Sequence, residues 1–338
     1  MERQALRGRW KQAAVLAGAA VVLYLGRHVL LSVATQLFGG YVLMALALPL
    51  CRRLEKRMPS GAAAVISLLA LLGAAVGMML VLIPPLARQL KQMTTSFPVM
   101  MAWIETQLGR LQQALDARGM DLSPVKDAVF GAVSSRAGKA VSSLAGMAAR
   151  LVQALGKVFL APLISFYLLR DRRRIVSLLT LVLPVKHRAR AVRAAREMRR
   201  ETAGFLRGQL LVSAAIGVLT ALGLKLTGNP GWLVLGALMG VMELVPYAGP
   251  VLAGIPAVLL ALQGGIGQGV WTLLVLLAVQ QIEGGVLSPR LLSGATKLHP
   301  LVVLLSVSAG GIFAGTFGMI LALPVVVSVR GALRGLRK

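Results

Sequence analysis

Glu243 and Glu283 are the two acids between residue 203 and the C-terminus, and each sits in a run of Leu, Val, Ile and Ala. A carboxyl in apolar surroundings keeps its proton to higher pH than in water, so such groups can load and release a proton or a cation near neutrality. Tyr247 lies four positions after Glu243, and Gln280 and Gln281 lie just before Glu283; all three offer neutral hydrogen bonds. His299 opens the last apolar stretch beside Pro300. The expected solute or ion pathway is therefore Glu243, Tyr247, Gln280, Gln281, Glu283 and His299. Two plainer roles compete: Glu243 as a structural partner of Lys225 or Arg290, and His299 as a helix cap or interfacial residue. The other histidines, His28 and His187, lie in separate regions, and Cys51 is the single cysteine. That composition points to no metal site, disulfide or cofactor. The motifs HExxH, GxxxxGK[ST] and GxSxG do not occur, so an enzyme is not expected.

The elements that must position these residues are unusual for apolar segments. "MELVPYAGPVLAGIPAV", residues 242–258, carries three prolines, two glycines and Glu243. It interrupts the apolar stretch 231–263, leaving halves 231–244 and 251–263. A half of about a dozen residues covers ~20 Å as a helix, less than the ~30 Å hydrocarbon core. The last stretch, 300–329, is broken likewise at "GGIFAGTFG", residues 310–318. Two re-entrant helical hairpins are expected, with tips at Pro246, Gly249 and Pro250 and at Gly310, Gly311, Gly315 and Gly318. The basic tail "RGALRGLRK" belongs inside by the positive-inside rule, so the second hairpin enters from the cytoplasm and the first from outside. Such an inverted pair of broken elements is a device of secondary transporters, because irregular backbone survives in a bilayer only around protein or a wet cavity. A kinked pair of ordinary spans is the competing interpretation of 231–263, since proline and glycine are common in membrane helices.

The rest of the chain frames these pieces. Of 338 residues 57% are hydrophobic and only 14% charged, with a mean hydropathy of +0.78. A soluble domain carries about a quarter charged residues. The fold class expected is all-α: a polytopic membrane protein of about 6–8 transmembrane helices with an extracytoplasmic helical insertion. Spans are predicted at 12–26, 29–50, 61–83, 151–169, 205–226 and 265–289, the third ending at Pro84-Pro85. Residues 86–150 are the insertion. There Leu90, Phe97, Ile104 and Leu111 recur every seven residues beside Met101, Leu108 and Leu115, a narrow seam that fits either a membrane-surface helix or a subunit contact. Organisation follows as 1–85, 86–150, 151–202 and a transport core, 203–338.

The net charge of +26 comes from basic runs that punctuate apolar segments. The expected counter-charge is anionic lipid, and no nucleic acid partner is expected. Lys186, Arg190, Arg193 and Arg200 share one helical face, which fits a basic helix on the lipid surface or a plain inside-positive loop.

Three blocks resemble the autoinducer-2 exporter family, also called PerM-type permeases. They are Glu243-Leu-Val-Pro246-Tyr247-Ala-Gly249-Pro250 with Gly254 and Pro256; Gln280-Gln-Ile-Glu283-Gly284 with Pro289, Gly294 and Leu298-His299-Pro300; and Gly310-Gly311 through Gly315, Gly318, Met319 and Pro324. "FYLLRD", 166–171, is a further similar feature, whereas Gly285 stands where the family commonly has Asn. The resemblance covers nearly the whole chain. It implies a transporter of the bacterial cytoplasmic membrane that works without ATP hydrolysis as a homo-oligomer, while the basic start and basic tail place both termini in the cytoplasm. It implies export of a small polar solute or signal, or exchange of sodium or lithium for protons. The alternative is a non-transporting scaffold, for example in sporulation, acting through 86–150.

Overall fold

The computed structural model describes residues 29–116, 160–292 and 298–337, and every regular element among them is helical. The predicted span 12–26, the stretch 117–150 of the insertion and the start of the predicted span 151–169 lie outside the described residues. Helix α1 is Val29–Leu54 and α2 is Ser60–Asp116. Helices α3 (Leu160–Arg170) and α4 (Arg172–Leu181) are short. Helix α5 is Val185–Leu226, followed by α6 (Trp232–Met242) and α7 (Ala248–Leu262). Helix α8 begins at Ile266–Ile282 and continues through a π turn, Glu283–Leu287, and a last turn, Ser288–Leu291. Helix α9 is Pro300–Arg337. Five helices, α1, the first part of α2, α5, α8 and α9, are long and apolar enough to cross a membrane.

Two helix boundaries differ from the sequence-based expectation. The apolar span closes at Pro85, as expected, but the helix does not stop there: α2 runs through both prolines, and through Pro98, for 57 residues. Two prolines remove two amide donors from a long ladder, and strong helix formers on both sides hold the rest in register. The basic segment is not a separate helix either, since 186–200 is the first third of the 42-residue α5. Helix α8 agrees with the predicted span 265–289: it widens into a π turn at Glu283–Leu287 and goes on to Leu291.

Two cores hold these helices. The larger takes Val42 from α1, Phe205 and Ile216 from α5, Leu235 from α6, Ala257 from α7, Val279 from α8 and Leu321 from α9. The smaller joins Cys51 of α1, Ala63 and Leu68 of α2 and Leu169 of α3. Arg172 closes the polar end of the smaller core with a two-pronged bond to Glu55, at 2.8 and 2.6 Å. Close backbone approach sets the α5 packing. Gly217 lies against Gly236 and Gly240 of α6, and Gly331 and Gly335 of α9 lie against Met198 and Ala194. Small residues at such crossings let helix backbones come together and gain dispersion contact where lipid supplies no hydrophobic drive.

The helix α9 folds on itself. Ala314 and Gly315 leave helical geometry, Gly315 at φ +62°. A methyl group on either Gly310 or Gly318 would collide with the carbonyl of the other. Residues eight apart on a straight helix are about 12 Å apart, so the chain must reverse between them. Val307 and Ala322 accordingly share one small core with Val245, the residue before the Pro246 turn.

Candidate functional site

The second break is built by a tight turn at 243–247. Helix α6 has only 11 residues and α7 has 15, about 16 and 22 Å long. The turn satisfies its own backbone: Val245 N–H donates to Met242 O at 2.9 Å and Gly249 N–H to Val245 O at 2.8 Å. Tyr247 takes φ +65°, the only non-glycine residue with a positive φ among the described residues. A non-glycine residue there is held by its surroundings at some strain. Gly249 has no alternative, because a side chain at that position would collide with Met242 O.

Glu243 sits at the end of α6 and is 1% exposed. Its backbone carbonyl accepts a 2.7 Å hydrogen bond from Gln209 Nε2 of α5. Its carboxyl faces that of Glu283, and Oε2 has no hydrogen-bond partner among the described residues. Glu283 opens the π turn, where a five-residue ring brings Ser288 under it. The Ser288 hydroxyl donates to Glu283 Oε1 at 3.3 Å. Side chains five apart diverge on an α-helix, so the π turn is what pairs them, consistent with the occurrence of such turns at functional sites.

These groups line a cavity of about 630 Å³. Phe205 and Gln209 come from α5, Glu243, Pro246 and Tyr247 from the α6–α7 turn, and Gln280, Glu283, Gly284 and Ser288 from α8. Pro300, Val303 and Leu323 of α9 complete it. Gln280 Nε2 is buried and has no acceptor among the described residues. The structure thus unites Glu243, Tyr247, Gln280 and Glu283 from four of the six sequence-chosen positions. Tyr247 remains 53% exposed while lining the cavity. Gln281 is exposed on α8 and does not line it. His299 is also outside: it is exposed, and its Nδ1 accepts the Leu301 N–H at 3.2 Å, a capping geometry. Neither Lys225 nor Arg290 pairs with Glu243. Lys225 lies over the Trp232 ring at 5.1 Å. Of the tip residues, Pro246 lines the cavity, Gly249 and Pro250 are buried at the start of α7, and Gly310 and Gly318 form the reversal of α9. Gly311 packs against Met319, while Gly315 supplies the turn itself. Gly285, in the Asn position, is exposed and does not line the cavity.

Sequence reasoning missed Gln209 and Ser288. Gln209 carried a usable signal, an amide within the apolar run "GQLLVSAAIGVL". Ser288 carried none, because only the π turn brings it to Glu283.

A bundle of apolar helices around a cavity where buried Glu243 meets half-buried Glu283 defines a multi-pass membrane protein with acids at its broken helices. A sequence profile described as AI-2E family transporter matches residues 14–338, and the chain belongs to that family of membrane transporters. It is similar to "Putative transport protein YueF" of Bacillus subtilis, 26% identical over 83% of this chain and 78% of the relative. It also resembles "Putative transport protein YrrI" of the same organism, 31% identical over 50% of this chain and 48% of the relative. "Putative permease PerM" of Escherichia coli K12 is 32% identical over 56% of this chain and 54% of the relative. The chain spans about half the length of those last two relatives.

Proposed function

We propose that the chain is an ion-coupled secondary transporter in which Glu243 and Glu283 carry the coupling proton or alkali cation. The observation that carries this is the meeting of the two carboxyls in one cavity, although they are the only acids in residues 203–338 and lie on different helices. Two negative charges side by side in apolar surroundings repel strongly, and one proton or one small cation between them relieves that repulsion. Exchange of that ion for a second species is coupled transport. Unpartnered Gln280 Nε2 and Glu243 Oε2 offer a donor and an acceptor to a small polar solute. The cargo is a small polar solute or signal that is exported, or sodium or lithium exchanged for protons.

In this scheme the α6–α7 pair and the folded α9 are re-entrant hairpins entering a bacterial cytoplasmic membrane from opposite faces, with both termini cytoplasmic. Their support is length, since α6 and α7 are each too short for the ~30 Å core. The protein works as a homo-oligomer in contact with anionic lipid.

Purified protein in vesicles containing a pH-sensitive dye, with sodium, lithium and proton gradients applied singly, tests the proposal. Glu243→Gln abolishes coupled flux while the protein still elutes as the folded species. Unchanged proton flux in that variant refutes the role of the pair. A second role as a scaffold is favoured by α2, whose 57 residues make a rod of about 85 Å, far longer than a bilayer is thick. Deleting 86–150 with transport retained separates the two roles.

A further inference from the structure

A second cavity, of about 640 Å³, lies between α2, α5 and α6 and shares no residue with the acidic one. Its walls are apolar, with Met78 and Val81 from α2, Leu210 and Val218 from α5, and Leu233 and Val241 from α6. Gly217 and Gly240 also line it, and their backbones meet. The absence of side chains at that crossing leaves a groove rather than a filled interface. The groove opens outward, since Val81 is 70% exposed.

One cationic side chain sits at the end of this groove, whose walls expose almost no polar surface. Arg207 precedes Leu210 by three residues and Ala214 by seven, so it lies on the groove-facing stripe of α5. It is exposed and makes no ion pair among the described residues. Along the helix, the groove runs from Leu210, about 4.5 Å beyond Arg207, to Ala221, about 21 Å beyond it. A cation followed by a long apolar trough is the order that an anionic phospholipid presents in complement: charged headgroup, then acyl chain. A second copy of this chain would bring another strongly basic surface, whereas an anionic lipid neutralises Arg207.

We infer that the groove between α2, α5 and α6 is a binding site for one anionic phospholipid, with Arg207 at the headgroup and an acyl chain along α5. Lipid-stripped full-length protein is incubated with equal amounts of phosphatidylglycerol and phosphatidylethanolamine, and the tightest-held lipid is read by native mass spectrometry. Phosphatidylglycerol is favoured about fivefold, the factor one basic side chain contributes at an anionic surface. Arg207→Gln brings the ratio close to one. Ala214→Trp, which fills the groove from an exposed position, lowers retention of both lipids without changing the elution volume. Equal retention by the unaltered protein overturns the proposal, as does a ratio unmoved by Arg207→Gln. So does a change of subunit number in Ala214→Trp, which would make the groove a contact between copies.

Discussion

At the scale of single residues, this chain uses its few acids in two ways. Glu55 and Glu201 are saturated with arginine, whereas Glu243 faces only another acid and an amide-lined space. The Arg172 guanidinium, bonded to both oxygens of Glu55, holds that carboxyl below its ordinary range against the opposing effect of partial burial. A depressed folded-state value means stabilisation that is present above the unfolded value and lost as pH falls through the folded one. Melting curves in detergent should therefore show the unaltered protein more stable than Glu55→Gln by about 2 kcal/mol near neutrality. That advantage should shrink below pH ~4.3. An advantage that does not change with pH would mean the pair is not the source. Glu283→Gln, by contrast, should leave melting nearly unchanged and suppress proton-coupled flux in vesicles. The reason is that an amide keeps the Ser288 contact but cannot carry the ion.

At the scale of elements, the function depends on helices that break at defined points. Gly310 and Gly318 let the arms of α9 touch through their backbones. Gly318→Val should open the arms, lower melting by about 2–4 kcal/mol of destabilisation and collapse flux together with it. Retained stability in that variant would mean the arms separate freely. Ile312 and Phe313 at the reversal are 82% and 64% exposed, an apolar tip suited to lipid. Cysteine placed at Tyr247 or Ile312 should label poorly with a membrane-impermeant reagent from either side if both tips lie within the bilayer. Cys51 is fully buried and should add little background. Rapid labelling of both positions from bulk water on opposite faces would make the breaks ordinary loops.

At the scale of the molecule, α5 is the shared wall. It packs α6, α8 and α9, contributes Gln209 to the acidic cavity and carries the basic extension 186–200. Glu201 fixes the end of α9 to it through Arg330 at 2.9 Å and Arg334 at 2.8 Å, beside a 2.6 Å contact between the Thr202 and Ser328 hydroxyls. Removing the acid leaves Arg330 largely buried and deprived of that partner. Glu201→Ala should lower melting by the equivalent of about 2 kcal/mol and loosen the far arm of α9. Faster amide exchange confined to 325–337 would locate the effect, and unchanged exchange there would argue against the clamp.

Composition and hydrophobic run length, read directly from the residues, were enough to assign an all-helical, multi-pass membrane chain. They also marked both breaks, because apolar runs and clustered Pro and Gly act locally. Glu243 and Glu283 were legible for the same reason: an acid in an apolar run is costly wherever the run goes. Other features were not local. Pro84-Pro85 mark the end of the apolar span, which was legible, but the helical ladder carries on past them to Asp116, which their residue types did not announce. The five-residue ring at Glu283, the meeting of the two acids, and the assignment of Gln209 and Ser288 to their cavity all depend on helices distant in sequence crossing at close range. Gln281 and His299 looked equivalent to Gln280 in sequence, and helical phase with a capping bond turned them away. Sequence determined which groups are costly in lipid; the crossing of α5, α6, α8 and α9 decided which of those costs are shared in one cavity.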